Sequence, residues 1–196
     1  MLLNKIFKCI LIIGLVGGCK TQPPKITHNI CDIFNEKKSW QKAALKSQKR
    51  WGIPLEVSMA FIYHESRFNA EAKPEREKFL WIIPCPICKR KSTSYGYSQA
   101  IDATWERYVD EEGWWLSERS DFEDAIDFIG WYNHKSSKTL GIPKSNAKAL
   151  YLAYHEGQNG YRKKSYNKKP WLIRVADEVQ RRANKYKKQF IKCSKN

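Results

Sequence analysis

The sequence predicts one mainly α-helical domain. Of the 196 residues, 42% are hydrophobic, and 8 Trp, 10 Tyr and 8 Phe supply bulky core side chains, which suffices for one compact domain but not for two. Apolar residues recur at helical intervals in several segments, and no segment shows the alternation that predicts a strand. No internal repeat occurs, so we expect a single helical body around one core.

The first two predicted helices lie in the N-terminal half. Residues 40–51 have the pattern of a short amphipathic helix, which Gly52 would end. Pro54 fits the first turn of a second helix, because the first turn leaves its backbone N–H groups unpaired in any case. We expect this second helix to end at Glu65 and Ser66.

The C-terminal half carries further helical patterns. Helices are expected over residues 102–108, after Asp121 as a capping residue, over residues 146–157 and over about 171–190. Residues 70–94 contain three prolines and mixed charges without periodicity. We therefore expect a long surface excursion there, of the kind that is functional or mobile in other proteins.

Glu65 is the first candidate for catalysis. It lies near the aromatic residues Phe61, Tyr63 and Phe68. Shielding by these rings would disfavour the charged carboxylate and raise its pKa, as proton donation near neutral pH requires. On a helical wheel Glu65 flanks an apolar stripe that comprises Leu55, Met59, Ile62 and Ser66. The alternative at this point is an ordinary solvated glutamate.

The N-terminus has the pattern of a leader peptide. Lys5 and Lys8 precede an apolar run, residues 9–16, that is too short to span a bilayer. The leader ends in Leu-Val-Gly-Gly-Cys, residues 15–19, which resembles the bacterial lipobox, in which the cysteine becomes the lipidated first residue. We expect a lipoprotein signal peptide over residues 1–18 and acylation, such as palmitate, on Cys19; plain secretion is the alternative.

A tether is expected between the lipid and the folded domain. Residues 19–30 would form this lipidated tether, since the segment is polar, contains a proline pair and lacks periodicity. The folded domain would then cover residues 31–193. The residue after the lipidated cysteine is Lys20, whereas an aspartate at that position would resemble an inner-membrane retention signal. We therefore expect a lipid-anchored protein of the cell envelope, facing the periplasm from the outer membrane.

Four further cysteines remain in the exported chain. Export places them in an oxidising compartment, where Cys31 with Cys193 would clamp the domain ends and Cys85 with Cys88 would close a small loop. Four cysteines allow three disulfide connectivities. For Cys85-Pro-Ile-Cys88, the alternatives to a disulfide loop are half of a zinc site and a redox pair. No second ligand pair and no βαβ pattern accompany it, so we expect neither a metal nor another cofactor.

The chain is strongly basic, with a formal net charge of +16. Nucleic acid, anionic lipid and an anionic wall polymer would all attract such a surface. Export argues against nucleic acid as a partner. Many of the lysines can equally form a solvated face without a ligand.

Three blocks in the same order resemble the lytic transglycosylases of the soluble-lytic type, which share the goose-type lysozyme fold. They are Glu65-Ser66, residues 96–99 (Gly-Tyr-Ser-Gln) and residues 153–157 (Ala-Tyr-His-Glu-Gly). Ser98 and the His-Glu pair depart from the family pattern, and the altered third block is similar to the membrane-bound, endo-type lipoprotein branch. The resemblance implies a helical, lysozyme-like domain with a catalytic cleft.

The resemblance also implies a reaction on peptidoglycan glycan strands. In this family one carboxyl group, here Glu65, protonates the β-1,4 glycosidic oxygen between N-acetylmuramic acid (MurNAc) and N-acetylglucosamine (GlcNAc). The resulting carboxylate then takes a proton from the muramoyl 6-hydroxyl, which closes a 1,6-anhydro ring. The nucleophile belongs to the substrate, so the second carboxylate of ordinary glycosidases is not needed.

The matching positions supply further expected substrate contacts. Ser94 and Gln99 would bind the sugar N-acetyl group, Tyr154 would hold the catalytic carboxyl group or the sugar ring, and Ser66 and Glu156 are further substrate-binding candidates. The alternatives are a core role for Tyr154, a backbone bond for Ser66 and an ion pair for Glu156. A muramidase of the same fold, or a non-catalytic glycan-binding lipoprotein, are the alternative functions.

Overall fold

The computed structural model describes residues 21–75, 78–79, 83–84, 90 and 92–194. Its seven α-helices within these ranges are α1 Ile30–Glu36, α2 Lys38–Trp51, α3 Leu55–Ser66, α4 Asp102–Glu111, α5 Phe122–Leu140, α6 Ala147–Arg162 and α7 Pro170–Cys193, and a 3-10 helix covers Ser165–Lys168. The prediction of a mainly helical fold is confirmed.

A small strand pair lies in the predicted surface excursion. Strands β1 Lys78–Phe79 and β2 Ile83–Pro84 are antiparallel, with Lys78 opposite Pro84 and Phe79 opposite Ile83. Two-residue strands are too short to show alternation, so they could not be predicted from the sequence.

Several predicted features lie outside the described residues. These are the signal peptide over residues 1–18, the lipidation site Cys19, and the Cys85 and Cys88 pair. Within the described ranges, no helix combines the length and the apolar character that crossing a bilayer requires.

Helix α3 lies at the centre of the fold, where α2, α5 and α7 pack around it. Its buried residues are Leu55, Val57, Ser58, Met59, Ala60, Phe61, Ile62 and Ser66. The predicted stripe of Leu55, Met59, Ile62 and Ser66 is buried as expected, but the buried positions extend well beyond it and point in nearly every direction. A helix that is apolar on all sides belongs in a core rather than on a surface.

The end of α3 is fixed by backbone conformation and by aromatic packing. Arg67 and Phe68 both adopt the left-handed region, with φ of 53° and 63°, which ends the helix directly after Ser66. This conformation is unfavourable for residues with a Cβ atom. Burial of the Phe68 ring, whose centroid lies 5.7 Å from that of Trp40, offsets the cost.

Helices α5 and α6 begin with side-chain caps. Asp121 accepts a hydrogen bond from the backbone N–H of Asp124 at 3.1 Å, as the sequence predicted. Helix α6 continues to Arg162, beyond the predicted end at residue 157, but Gly157 breaks its geometry with φ 70° and ψ 162°. That region is accessible almost only to glycine, so this residue produces a kink that a side chain would oppose.

The residues before α1 are bound to α7. The Tyr186 hydroxyl donates to the Thr27 carbonyl at 2.5 Å, and the Ile30 N–H donates to the Gln189 side chain at 3.1 Å. A disulfide joins Cys31 to Cys193, with a Cα–Cα distance of 6.2 Å. The last part of the expected tether thus lies against the folded domain, because the buried Tyr186 hydroxyl finds its acceptor there.

The turn over residues 96–99 is held by backbone contacts with two other segments. The Gly96 N–H donates to Ala72 at 3.0 Å, and the Tyr97 N–H donates to Arg119 at 3.1 Å. Gly96 has φ 75°, and a Cβ atom added there would lie 2.0 Å from the Arg119 carbonyl oxygen. Only glycine fits this position, because any side chain would displace the backbone of the neighbouring loop.

We expect Gly96→Ala to lower the free energy of unfolding by about 3 kcal/mol, since it combines left-handed strain with a backbone clash. Gly141→Ala is the matched control, because Gly141 has φ 69° but no heavy atom within 4 Å of the added Cβ. The control should lose only about 1 kcal/mol. Urea unfolding of both variants measures the difference, and equal losses would show that the clash contributes nothing.

Candidate active site

A cleft of about 510 Å³ opens at the C-terminal end of α3. It is lined by residues from all three sequence blocks, namely Glu65, Ser92, Ser94, Gln99, Ala100, Ile101, Thr104, Phe128, Tyr132, Tyr154, His155, Glu156 and Gly157. The tertiary structure therefore brings Glu65 together with four of the five predicted substrate-binding residues. The fifth, Ser66, is placed elsewhere.

The Glu65 carboxyl group has the environment of an acid that holds its proton near neutral pH. Although the side chain borders the cleft and keeps some contact with water, protein atoms surround the carboxyl group, and this burial raises its pKa to about 7. Hydrogen bonding from the Tyr151 hydroxyl acts in the opposite direction and lowers the pKa. No lysine or arginine is among the described residues that line the cleft, so no cation there favours the carboxylate.

Two tyrosines of α6 flank the acid. The ring of Phe61 packs edge-on against Tyr151 and Tyr154, with centroid distances of 5.2 and 5.4 Å. The Tyr154 hydroxyl donates to the Ser98 carbonyl at 2.7 Å, so it connects α6 to the turn over residues 96–99. Tyr151 is the tyrosine that hydrogen-bonds to Glu65.

Sequence reasoning missed Tyr151. The contact with Glu65 was expected from Tyr154, which belongs to the block that resembles the family. Tyr151 lies three residues earlier in the same helix and therefore on a neighbouring part of the same face. That spacing was the only available signal.

Gln99 braces the loop that forms one wall of the cleft. Its side-chain amide donates to the carbonyls of Ala72 and Gly96 at 2.9 and 2.8 Å, and its Oε1 accepts from the Ser94 hydroxyl at 3.3 Å. Both amide hydrogens are thus used within the protein. The second lone pair of Oε1 and the lone pairs of the Ser94 oxygen are left for a ligand.

Ser66 does not line the cleft. Its side chain is buried and its hydroxyl donates to the Ile62 carbonyl at 3.1 Å, one turn earlier in α3. This local bond gives the buried hydroxyl a partner within its own helix. Ser66 thus hydrogen-bonds to its own backbone, which was the alternative expected from the sequence, and does not lie where a substrate would bind.

Glu156 lines the cleft but is held by an ion pair. Its Oε1 accepts from Lys169 Nζ at 2.6 Å and contacts His155 Nδ1 at 3.0 Å, while Ser165 donates to Oε2. Burial tends to raise the pKa, but the hydrogen bonds from Lys169, Ser165 and His155 together outweigh it and lower the pKa to about 2. Glu156 is therefore a fixed carboxylate and cannot serve as a proton donor.

A second cavity, of about 330 Å³, lies between α2, α4 and α5. Its Asp127 accepts hydrogen bonds from Arg50 at 2.7 Å, Trp51 at 2.8 Å and Tyr108 at 2.9 Å. An acid held by three donors has a structural role. Glu65, which has no cationic partner of this kind, remains the better candidate for catalysis.

No cluster of three or more His, Cys, Asp or Glu side chains that could hold a metal ion occurs in the part of the chain that the structure describes. The arrangement around Glu65 supports acid–base chemistry by a single carboxyl group.

Comparisons with known proteins agree with this geometry. A search of curated proteins finds no match to the chain. A family model described as "Transglycosylase SLT domain" matches residues 7–193, which include all three blocks and every helix of the described structure. The resemblance expected from the sequence is confirmed: the chain belongs to the transglycosylase SLT domain family, a domain that suggests peptidoglycan lytic transglycosylase activity.

Proposed function

We propose that the protein is a lipid-anchored lytic transglycosylase that cleaves the β-1,4 bond between MurNAc and GlcNAc and leaves 1,6-anhydro-MurNAc ends. The observation that carries this proposal is the placement of Glu65, an acid that lines a cleft while protein atoms shield its carboxyl group and raise its pKa to about 7. Such a group can donate and accept a proton at nearly the same pH.

In the first step the protonated Glu65 gives its proton to the glycosidic oxygen. The bond from that oxygen to the muramoyl C1 breaks, so GlcNAc leaves with a free 4-hydroxyl and C1 gains oxocarbenium character. Glu65 is now a carboxylate. Its negative charge beside C1 stabilises the developing positive charge, and the lack of lysine and arginine on the cleft wall leaves that attraction unopposed.

In the second step the Glu65 carboxylate removes the proton of the muramoyl 6-hydroxyl. The 6-oxygen forms a bond to C1 and closes the 1,6-anhydro ring, which restores the protonated acid without water. Glu156 takes no part in either proton transfer, because Lys169 and Ser165 hold its carboxylate. One carboxyl group is sufficient when the substrate supplies the nucleophile.

The cleft wall supports binding of an N-acetylated sugar. Gln99 Oε1 can accept a hydrogen bond from the acetamido N–H, and the Ser94 hydroxyl can contact the acetyl oxygen after a rotation. Phe128 and Tyr132 also line the cleft and provide apolar ring surface for the sugar.

Replacement of the acid tests the chemistry directly. Glu65→Gln should lower the rate of glycan release from purified sacculi at least about 100-fold, because it removes both proton transfers. Mass spectrometry of the products should show 1,6-anhydro ends with the parent protein. Reducing ends would instead identify a muramidase, and equal activity of parent and variant would end the proposal that Glu65 is catalytic.

Glu56→Gln is the matched control, since Glu56 is the glutamate at the opposite end of α3. Its activity should equal that of the parent.

Thermal unfolding checks the folding of Glu65→Gln and tests a second consequence of the raised pKa. Glu65 has a pKa raised from 4.5 to about 7, so it lowers stability increasingly as the pH rises from 4.5 to 7. At pH 8 Glu65→Gln should therefore be more stable than the parent, by up to about 3 kcal/mol, and the difference should vanish near pH 4.

Tyr151→Phe should move the alkaline limb of the pH profile. The parent's kcat/KM should fall above about pH 7, where Glu65 loses its proton. The Tyr151 hydroxyl lowers the pKa of Glu65, so its removal should shift the limb to higher pH. Tyr161→Phe, in the same helix but outside the cleft lining, is the control. A shift to lower pH in Tyr151→Phe would contradict the assigned direction.

Membrane anchoring is proposed from the sequence pattern around Cys19. Cells that express the chain should incorporate a fatty-acid analogue into it, and Cys19→Ala should abolish this label. Cys31→Ala, which also removes one exported cysteine, should keep it. After separation of the membranes, we expect the labelled protein in the outer-membrane fraction; an unlabelled parent protein would indicate plain secretion.

A further inference from the structure

A basic cavity lies at the C-terminal end of α3 and shares no lining residue with the cleft that contains Glu65. It has a volume of about 320 Å³, and its walls come from the end of α3 and from α7. We call it the α3–α7 cavity. Its cationic side chains are Arg67, Arg181, Arg182 and Lys185, whereas Glu178 supplies its only carboxylate among the described residues.

The charges of this cavity are poorly compensated. Glu178 approaches Arg181 at 3.9 Å, and both side chains are well exposed, so this pair is weak. Within the described part of the chain, no carboxylate forms an ion pair with Arg67, Arg182 or Lys185. The C-terminal end of α3 contributes only a partial negative charge, which is small beside four cations.

Two of the guanidinium groups are held in place by Tyr63. The guanidinium carbons of Arg67 and Arg182 lie 4.0 and 3.3 Å from the centroid of the Tyr63 ring. A guanidinium stacked on a ring keeps its N–H groups at the edge of the stack. One N–H of Arg182 donates to the Tyr186 hydroxyl at 3.5 Å, and the remaining N–H groups can bind an oxyanion. The stacking therefore positions donors in advance and reduces the entropy lost on binding.

Buried polar atoms of the cavity have no partner. His64 Nε2 and Arg182 Nε are both buried and form no hydrogen bond within the described residues. Burial, followed by the positive charges of the neighbouring arginines, lowers the pKa of His64 to about 4. A neutral His64 can carry an N–H donor at this nitrogen. Two residues that line the cavity thus hold buried polar atoms without a partner, beside a cluster of positive charges.

We propose that the α3–α7 cavity binds a phosphate group, either as the free ion or as the terminal group of a phosphomonoester. A phosphate group carries between one and two negative charges at pH 7 and offers acceptor oxygens in several directions. These match donors that come from two separate helices. A carboxylate has two oxygens in one plane and would serve one guanidinium well.

The test is a titration of the full-length chain with inorganic phosphate at constant ionic strength. NMR signals of the His64 ring and of the Arg182 Nε–H group report on the cavity, and both should shift with the same saturable dependence. Arg182→Gln should weaken binding about tenfold or more, because a charge-assisted hydrogen bond is lost. Lys185→Gln, at an exposed position, should also weaken it if Arg182→Gln does not fold.

Arg174→Gln is the matched control, since it removes the same charge from α7 outside the cavity. The affinity of this variant for phosphate should stay within about twofold of the parent's, because salt screens an exposed charge that lies outside the cavity. Equal weakening by Arg174→Gln and Arg182→Gln would overturn the proposal, because it would show attraction to net charge alone. Linear, non-saturating shifts, or tighter binding of glutarate than of phosphate, would also overturn it.

Two further probes separate the sources of the phosphate. Binding of inorganic phosphate without binding of glycerol 1-phosphate assigns the cavity to the free ion, and binding of both assigns it to a terminal phosphomonoester. Either result supports the proposal. The outcome is independent of the proposed glycan cleavage, because digestion of sacculi depends on Glu65 and not on this cavity.

Discussion

The structure depends on the burial of α3. Its core packing on nearly every side fixes where the helix ends, and the buried Phe68 ring keeps the chain in the left-handed conformation that stops the helix after Ser66. The carboxyl group of Glu65 is thereby carried into a region with little water. Desolvation of the acid is thus a consequence of core packing and not of any special partner.

The two glutamates of the cleft show how environment separates their roles. Glu65 has a hydrogen-bonding tyrosine but no cation, and its pKa is about 7. Glu156 has Lys169, Ser165 and His155 around it, and its pKa is about 2. One group can therefore change its charge during a reaction, while the other keeps its charge and joins α6 to the start of α7.

Positive charge is distributed unevenly around the C-terminal end of α3. The chain carries a formal net charge of +16, yet no lysine or arginine lines the described cleft wall. A cation beside Glu65 would lower its pKa and weaken it as an acid. The α3–α7 cavity lies at the end of the same helix and collects four cations, so the two faces of this helix end differ sharply in electrostatic potential.

The sequence by itself determined the features that depend on neighbouring residues. The helical fold class, the cap at Asp121, the end of α3 at Glu65 and Ser66, and the three ordered blocks could all be predicted, because periodicity, capping and short motifs are local. Helix α1 was missed, since its seven residues are too few to establish a period. The burial of α3 beyond its predicted stripe was also missed, because a sequence does not state how many neighbours surround a helix.

Only the tertiary structure decided the contacts between distant residues. Tyr151 is the residue that hydrogen-bonds to Glu65, and the Ser66 hydroxyl donates to the Ile62 carbonyl. Glu156 forms an ion pair with Lys169, and Cys31 forms a disulfide with Cys193. The tertiary structure also brought Tyr63 of α3 against Arg182 of α7. The pKa of a carboxyl group depends on burial and on the charges around it. The sequence could therefore nominate Glu65 as an acid, but only the packing of α3 and α6 made its pKa suitable.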